Sequence, residues 1–138
     1  MADFLPTSLL YISILAAEKG SRVLVATLIS EGADVNEKNE SQQTPLHYAA
    51  SSNAGDAAQA LLAHGADVDA RSESQRTPLH TAAYYNAVDA AKVLLAHGAD
   101  VNARDEDEDT PLDDAERKGH DEMETLLCQH VRTRGGNR

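Results

Sequence analysis

Six histidines are the residues of this chain most able to do chemistry. An imidazole can ligate a metal or move a proton near neutral pH. Four of the six form two equally spaced pairs, His47 with His80 and His64 with His97, each pair 33 residues apart. A fixed step of that kind sets equivalent side chains in a ladder, about 10 Å apart if each step is one helix diameter. Two imidazoles so far apart cannot share one metal ion. His64 and His97 each precede a glycine, at the end of a predicted helix where the dipole favours a cation. His120 and His130 lie near the C-terminus, His130 a further 33 residues after His97. The histidine pattern therefore predicts structure and not ligation.

Other reactive constellations are missing from the sequence. It contains no Gly-rich phosphate loop, no His-Glu-x-x-His pair and no nucleophile elbow. Catalysis, a cofactor and a bound metal are not expected. Cys128 is the single cysteine, so no intramolecular disulfide or multi-cysteine metal site can form, in keeping with a reducing cytoplasm. Its place matches that of Leu62 and Leu95, which predicts a core residue. The densest charge is the run Asp105-Glu106-Asp107-Glu108-Asp109. It reads either as a solvated loop or as a dock for a Lys/Arg-rich surface, since adjacent acids repel one another unless compensated. A calcium site would need the EF-hand spacing and its glycine, which are absent.

Composition narrows the partners. Over 138 residues the formal net charge is −11, which repels nucleic-acid backbones and anionic membrane surfaces and favours cationic partners. The length suits one domain, and a core rich in Ala, Leu and Val, with 4% aromatics and no Trp, suits thin, closely packed helices. Leu9 to Ala17 is apolar, but only Asp3 supplies a side-chain charge ahead of it, which is not the positive lead of a secretory signal. It is also shorter than the roughly 20 residues of a membrane span. A buried helix and a cytoplasmic protein are the expectation.

The elements that position these residues emerge from internal repetition. Thr44-Pro45-Leu46-His47 returns as Thr77-Pro78-Leu79-His80 and as Thr110-Pro111-Leu112-Asp113, at steps of 33. Gly32-Ala33-Asp34-Val35 returns at Gly65 and Gly98, and Leu28, Leu61, Leu94 and Leu127 keep the same step. Residues 39–71 and 72–104 share 24 of 33 positions. In each unit the threonine is placed to cap a helix whose first residue is the proline. Gly20, Asn53, Asn86 and Gly119 are placed to end that helix, since Gly and Asn tolerate the left-handed conformation. Asp56 and Asp89 open the second helices, where an acid favours the dipole, and Gly65 and Gly98 end them.

A 33-residue period opening on Thr-Pro-Leu-His resembles the ankyrin-repeat family over about residues 8–130. The resemblance implies an all-α solenoid of about four helix–turn–helix units, each with a short hairpin finger leading to the next. The units are expected at 5–38 (a degenerate N-terminal cap), 39–71, 72–104 and 105–131 (a polar C-terminal cap), with 132–138 as a flexible tail. It also implies that the motif histidine ties each helix start to neighbouring turns.

By the same resemblance, a partner protein meets the concave face and finger tips. Glu40, Ser41, Gln43, Tyr48, Ser51 and Ser52 supply that surface in the second unit, and Glu73, Ser74, Arg76, Thr81, Tyr84 and Tyr85 in the third. Glu106, Asp107, Asp109, Asp114 and Arg117 supply it in the fourth. The two central units differ at nine positions, and four of the pairs are 43/76, 48/81, 51/84 and 52/85. Ser51-Ser52 against Tyr84-Tyr85 is the largest change, and exposed tyrosines are favoured anchors at interfaces. The reading that follows is a monomeric, cytoplasmic protein–protein interaction module. A narrower form is an acidic antagonist of a basic protein such as a nuclease or toxin. A different class is a substrate of an asparaginyl hydroxylase, because Val35-Asn36 and Val101-Asn102 resemble its sites.

Overall fold

The computed structural model describes residues 22–135. Leu9–Ala17, Gly20 and the last three residues lie outside them. Seven helices follow one another among the described residues: α1 (Arg22–Ser30), α2 (Pro45–Ser51), α3 (Gly55–Ala63), α4 (Pro78–Tyr84), α5 (Val88–Ala96), α6 (Pro111–Lys118) and α7 (Asp121–Gly135). The first helices form one layer, α2 on α4 on α6, and the second helices form another, α1 on α3 on α5 on α7. Described residues contain no β-strand, so the chain is an all-α solenoid.

Each first helix starts as its residues dictate. Thr77 Oγ1 accepts the His80 N–H at 3.3 Å, and Thr110 Oγ1 accepts the Asp113 N–H at 3.3 Å. A proline follows in these units and in the second, where its missing N–H costs nothing. The helices stop at Asn53, Asn86 and Gly119, with φ of 57°, 58° and 74°. Gly65 and Gly98, at φ of 97° and 86°, follow the second helices.

The core is the Ala and Leu ladder. Leu28, Leu61, Leu94 and Leu127 are all buried, as are the alanine pairs at 49–50, 57–58, 82–83 and 90–91. Alanine at those places lets the helix layers approach closely, and the leucines fill the remaining space.

Two expectations for the C-terminal unit need correction. Helix α7 runs past the expected unit boundary at 131, to Gly135. Val131 stands where the other units have their left-handed glycine, so nothing stops the helix there. Cys128 is exposed rather than in the core. Its counterpart Leu95 is buried, 6% exposed.

Candidate partner-binding groove

The fingers hold the groove residues, so their construction comes first. Each is a tight turn closed by a backbone bond: Asn39 N–H to the Gln43 carbonyl at 3.0 Å, Ser72 to Arg76 at 2.9 Å, and Asp105 to Asp109 at 3.0 Å. The side chain that opens each finger also closes it. Asn39 Oδ1 accepts the N–H groups of Ser41 and Gln43, at 2.9 and 3.0 Å. Ser72 Oγ accepts from Arg76 at 3.3 Å, and Asp105 Oδ1 from Asp107 and Asp109, both at 2.9 Å. Neighbouring fingers are stitched by Glu73 N–H to the Ser41 carbonyl at 3.0 Å and Glu106 N–H to the Ser74 carbonyl at 3.1 Å. Lys38 and Arg71, one repeat apart, donate to the carbonyls of Arg71 and Arg104 at 3.0 and 2.7 Å.

The motif histidines lock one unit to the next. Thr44 N–H donates to His47 Nδ1 at 3.1 Å, which leaves the ring proton on Nε2 to donate to the Arg76 carbonyl at 3.0 Å. His80 repeats this with Thr77 at 3.1 Å and with the Asp109 carbonyl at 2.8 Å. Burial lowers the His47 pKa from 6.5 to about 4, although the Arg76 carbonyl favours the charged ring. Burial also lowers that of His80. Both are neutral ties with both nitrogens engaged. Asp113 keeps only the local half of the role, accepting from Thr110 N–H at 2.9 Å.

Between α2 and α4 this framework leaves an open groove of about 320 Å³. Gln43, His47, Tyr48, Ser51, Arg76, Thr81, Tyr84 and Tyr85 line it. The Tyr48 hydroxyl accepts from Asn39 Nδ2 at 2.8 Å. Tyr84 and Tyr85 meet edge to face, 4.9 Å between ring centroids. The Lys118 ammonium sits 4.3 Å from the Tyr84 centroid. Tyr85 is the freer ring, 59% exposed against 38% for Tyr84.

An ionic network bounds the groove on its C-terminal side. Arg76 bridges Asp105 (2.8 Å) and Asp114, and Arg117 bridges Asp109 (2.8 Å) and Asp114 (3.1 Å). Burial alone would raise the Asp105 pKa, but the N–H groups of Asp109 and Asp107 and the Arg76 guanidinium together hold it below the usual value. The Arg117 pKa is raised, first by the Asp109 charge and then by its bond to Asp114.

The repeat geometry now has an independent counterpart. A family model for ankyrin repeats, three copies long, matches residues 13–105 and again 70–135. The chain belongs to the ankyrin-repeat family. A search of the curated proteins finds no match. Ankyrin repeats are generally protein–protein interaction modules and typically non-enzymatic. Among the described residues no helix is long and apolar enough to cross a membrane.

Within the ankyrin stack, the structure gathers Gln43, Tyr48, Ser51, Arg76, Thr81, Tyr84 and Tyr85 into one groove. Glu73, Glu106 and Asp107 lie apart from it on the exposed fingers. Ser52 turns back to bond the Tyr48 carbonyl at 3.0 Å. Asp109 is half-buried and committed to Arg117. Asp114 is a correction: expected on the partner face, it is 1% exposed and held by two arginines. The acidic run is likewise not one solvated block, since Asp105 is buried as the finger's closing residue. Its carboxylate oxygens and those of Asp107 and Asp109 come within 4.8 Å of one another, but amides and arginines already engage Asp105 and Asp109. A signal for Asp105 was present, because Asn39 and Ser72 hold the same place in their units and are also short acceptors. Asn36 also proves structural: its amide accepts from Asp67 N–H at 2.8 Å and donates to the Gly65 carbonyl at 3.2 Å.

Proposed function

We propose that this protein binds a partner protein in the groove between α2 and α4, with the adjoining finger tips extending the contact. One observation carries the reading. Seven of the eight groove-lining residues fall at positions where the two central units differ, although those units share 24 of 33 positions. Helix packing, caps and latches are satisfied by the shared residues, and of the varying groove positions only Arg76 is also tied into the ion network. What they supply is amphipathic aromatic surface and short polar groups, the chemistry of an interface core. The net charge of −11 supports the narrower reading of an acidic antagonist of a basic protein.

Site-specific photocrosslinking in the native host tests this. A benzophenone amino acid at Ser51, in the groove, is expected to capture a discrete protein. The same group at Gln59, on the opposite helix layer, is not. Equal capture at both places, or none at Ser51, would overturn the assignment.

A further inference from the structure

Resting on that reading, we propose that the groove takes an extended basic segment of the partner, with Lys or Arg at every third residue. The first ground is how the chain uses its own charges. Arg76 and Arg117 are spent on Asp105, Asp109 and Asp114. Lys38, Arg71 and Arg104 donate to finger carbonyls. The cations beside the groove are thus internally satisfied. Glu40, Glu73 and Glu106 are not: all three are exposed at the finger tips and have no cationic partner among the described residues.

Spacing is the second ground. These glutamates recur at the 33-residue step, on fingers stitched side by side through Glu73 and Glu106 N–H groups. Units packed at the usual helix separation put them about 9–10 Å apart. An extended segment in the polyproline II conformation has three residues per turn and rises about 3.1 Å per residue, so every third side chain lies on one face, in register with them. The fingers and the groove are continuous, because Gln43 and Arg76, which close two fingers, also line the groove.

Aromatic chemistry is the third. Lys118 already stacks on the Tyr84 ring at 4.3 Å, which shows the geometry a cation adopts there. The neighbouring Tyr85 ring is 59% exposed, an aromatic surface open to a partner's Lys or Arg.

Display of random 12-residue peptides against the full chain, counterselected on the Tyr84→Ala/Tyr85→Ala variant, tests the proposal. Groove-dependent peptides are expected to carry basic residues at three-residue spacing. A synthetic peptide with Arg at every third position should bind the Glu40→Gln/Glu73→Gln/Glu106→Gln variant about tenfold more weakly, a sum of three exposed ion pairs. The urea midpoint of that variant should be unchanged. Neutral or acidic groove-dependent peptides, basic residues at helical spacing, or affinity indifferent to the triple variant would each overturn the inference while leaving the groove reading intact. If no selected peptide depends on the tyrosine pair, the groove reading itself fails.

Discussion

The same three positions build two different junctions in this stack. Between the second and third units they are Gln43, Ser72 and Thr81; one repeat later they are Arg76, Asp105 and Asp114. The histidine latch is the same at both, 3.0 Å to the Arg76 carbonyl and 2.8 Å to the Asp109 carbonyl. The first junction is neutral and opens into the groove. The second is a buried ion network running into the C-terminal cap. Neutral residues at the first junction leave the stacking intact, so the charges do something other than stack units. In the cap, Asp113 makes only the local half of the latch. The network adds a second tie between the cap and the third finger, beside the His80 latch.

The sharpest way to break the contrast is to give the second junction the residues of the first. Arg76→Gln alone leaves Asp105 and Asp114 buried with their shared cation removed. Asp114 keeps only Arg117 and Asp105 only its two amide donors, and the expected loss from breaking the buried pairs is about 3 kcal/mol in urea unfolding. The triple variant Arg76→Gln/Asp105→Ser/Asp114→Thr should recover most of it, because it removes the buried charges together. If the triple is as unstable as the single, the network has no neutral equivalent and the two junctions are not interchangeable.

The groove side of the comparison is tested by Tyr84→Ala with Tyr85→Ala. The fold should persist by circular dichroism, since both rings are exposed and the Lys118 contact is a weak surface interaction. Partner binding should weaken by more than ~2 kcal/mol, a hot-spot magnitude. Retained affinity would move the interface away from this junction.

Acid acts on the element that the junctions share. The His47 pKa is 6.5 unfolded and about 4 folded, so between those values the unfolded chain binds a proton that the folded chain refuses. Stability is therefore full above pH 6.5 and falls as pH falls, by roughly 2 kcal/mol from this residue by pH 5. His80 moves in the same direction. Asp105, whose pKa is depressed, adds its loss only below its ordinary value of 3.8. Urea midpoints across pH 7.5 to 4.5 should show the slope. A His47→Asn/His80→Asn variant should be less stable at pH 7.5 and flatter with pH. An unchanged slope would mean that the imidazoles are not the neutral ties described above.

Local rules made much of this legible before any coordinates. Threonine caps, prolines, left-handed Asn and Gly and the leucine ladder are decided within a few residues or by the repeat itself, and the sequence states them directly. The groove was legible through the differences between two near-identical units. What was hidden depends on pairing across units. Asp114 looked like a solvated acid because its partner, Arg76, is 38 residues away. Asp105 looked like one of five equal charges because only the folded turn shows its two amide bonds. Cys128 was likened to Leu62 and Leu95 by position alone, and it is exposed where Leu95 is buried.

The smallest effect sharpens the comparison between fingers. Gln42, Gln75 and Glu108 all hold the left-handed conformation, at φ of 62°, 65° and 67°. A β-carbon there costs roughly 1–2 kcal/mol, partly offset by the flexibility that glycine adds to the unfolded chain. Replacing each by Gly should raise stability by about 0.5–1 kcal/mol. If backbone strain is the whole effect, the three gains will be equal. Glu108 also sits between Asp107 and Asp109, and its 3.8 Å pair with Arg104 is exposed on both sides, worth little. Glu108→Gly should therefore gain the most, with the excess over Gln75→Gly shrinking as salt is added. Equal gains at all ionic strengths would mean that Arg76 and Arg117 already neutralise the acidic finger, leaving it no more strained than its neutral neighbours.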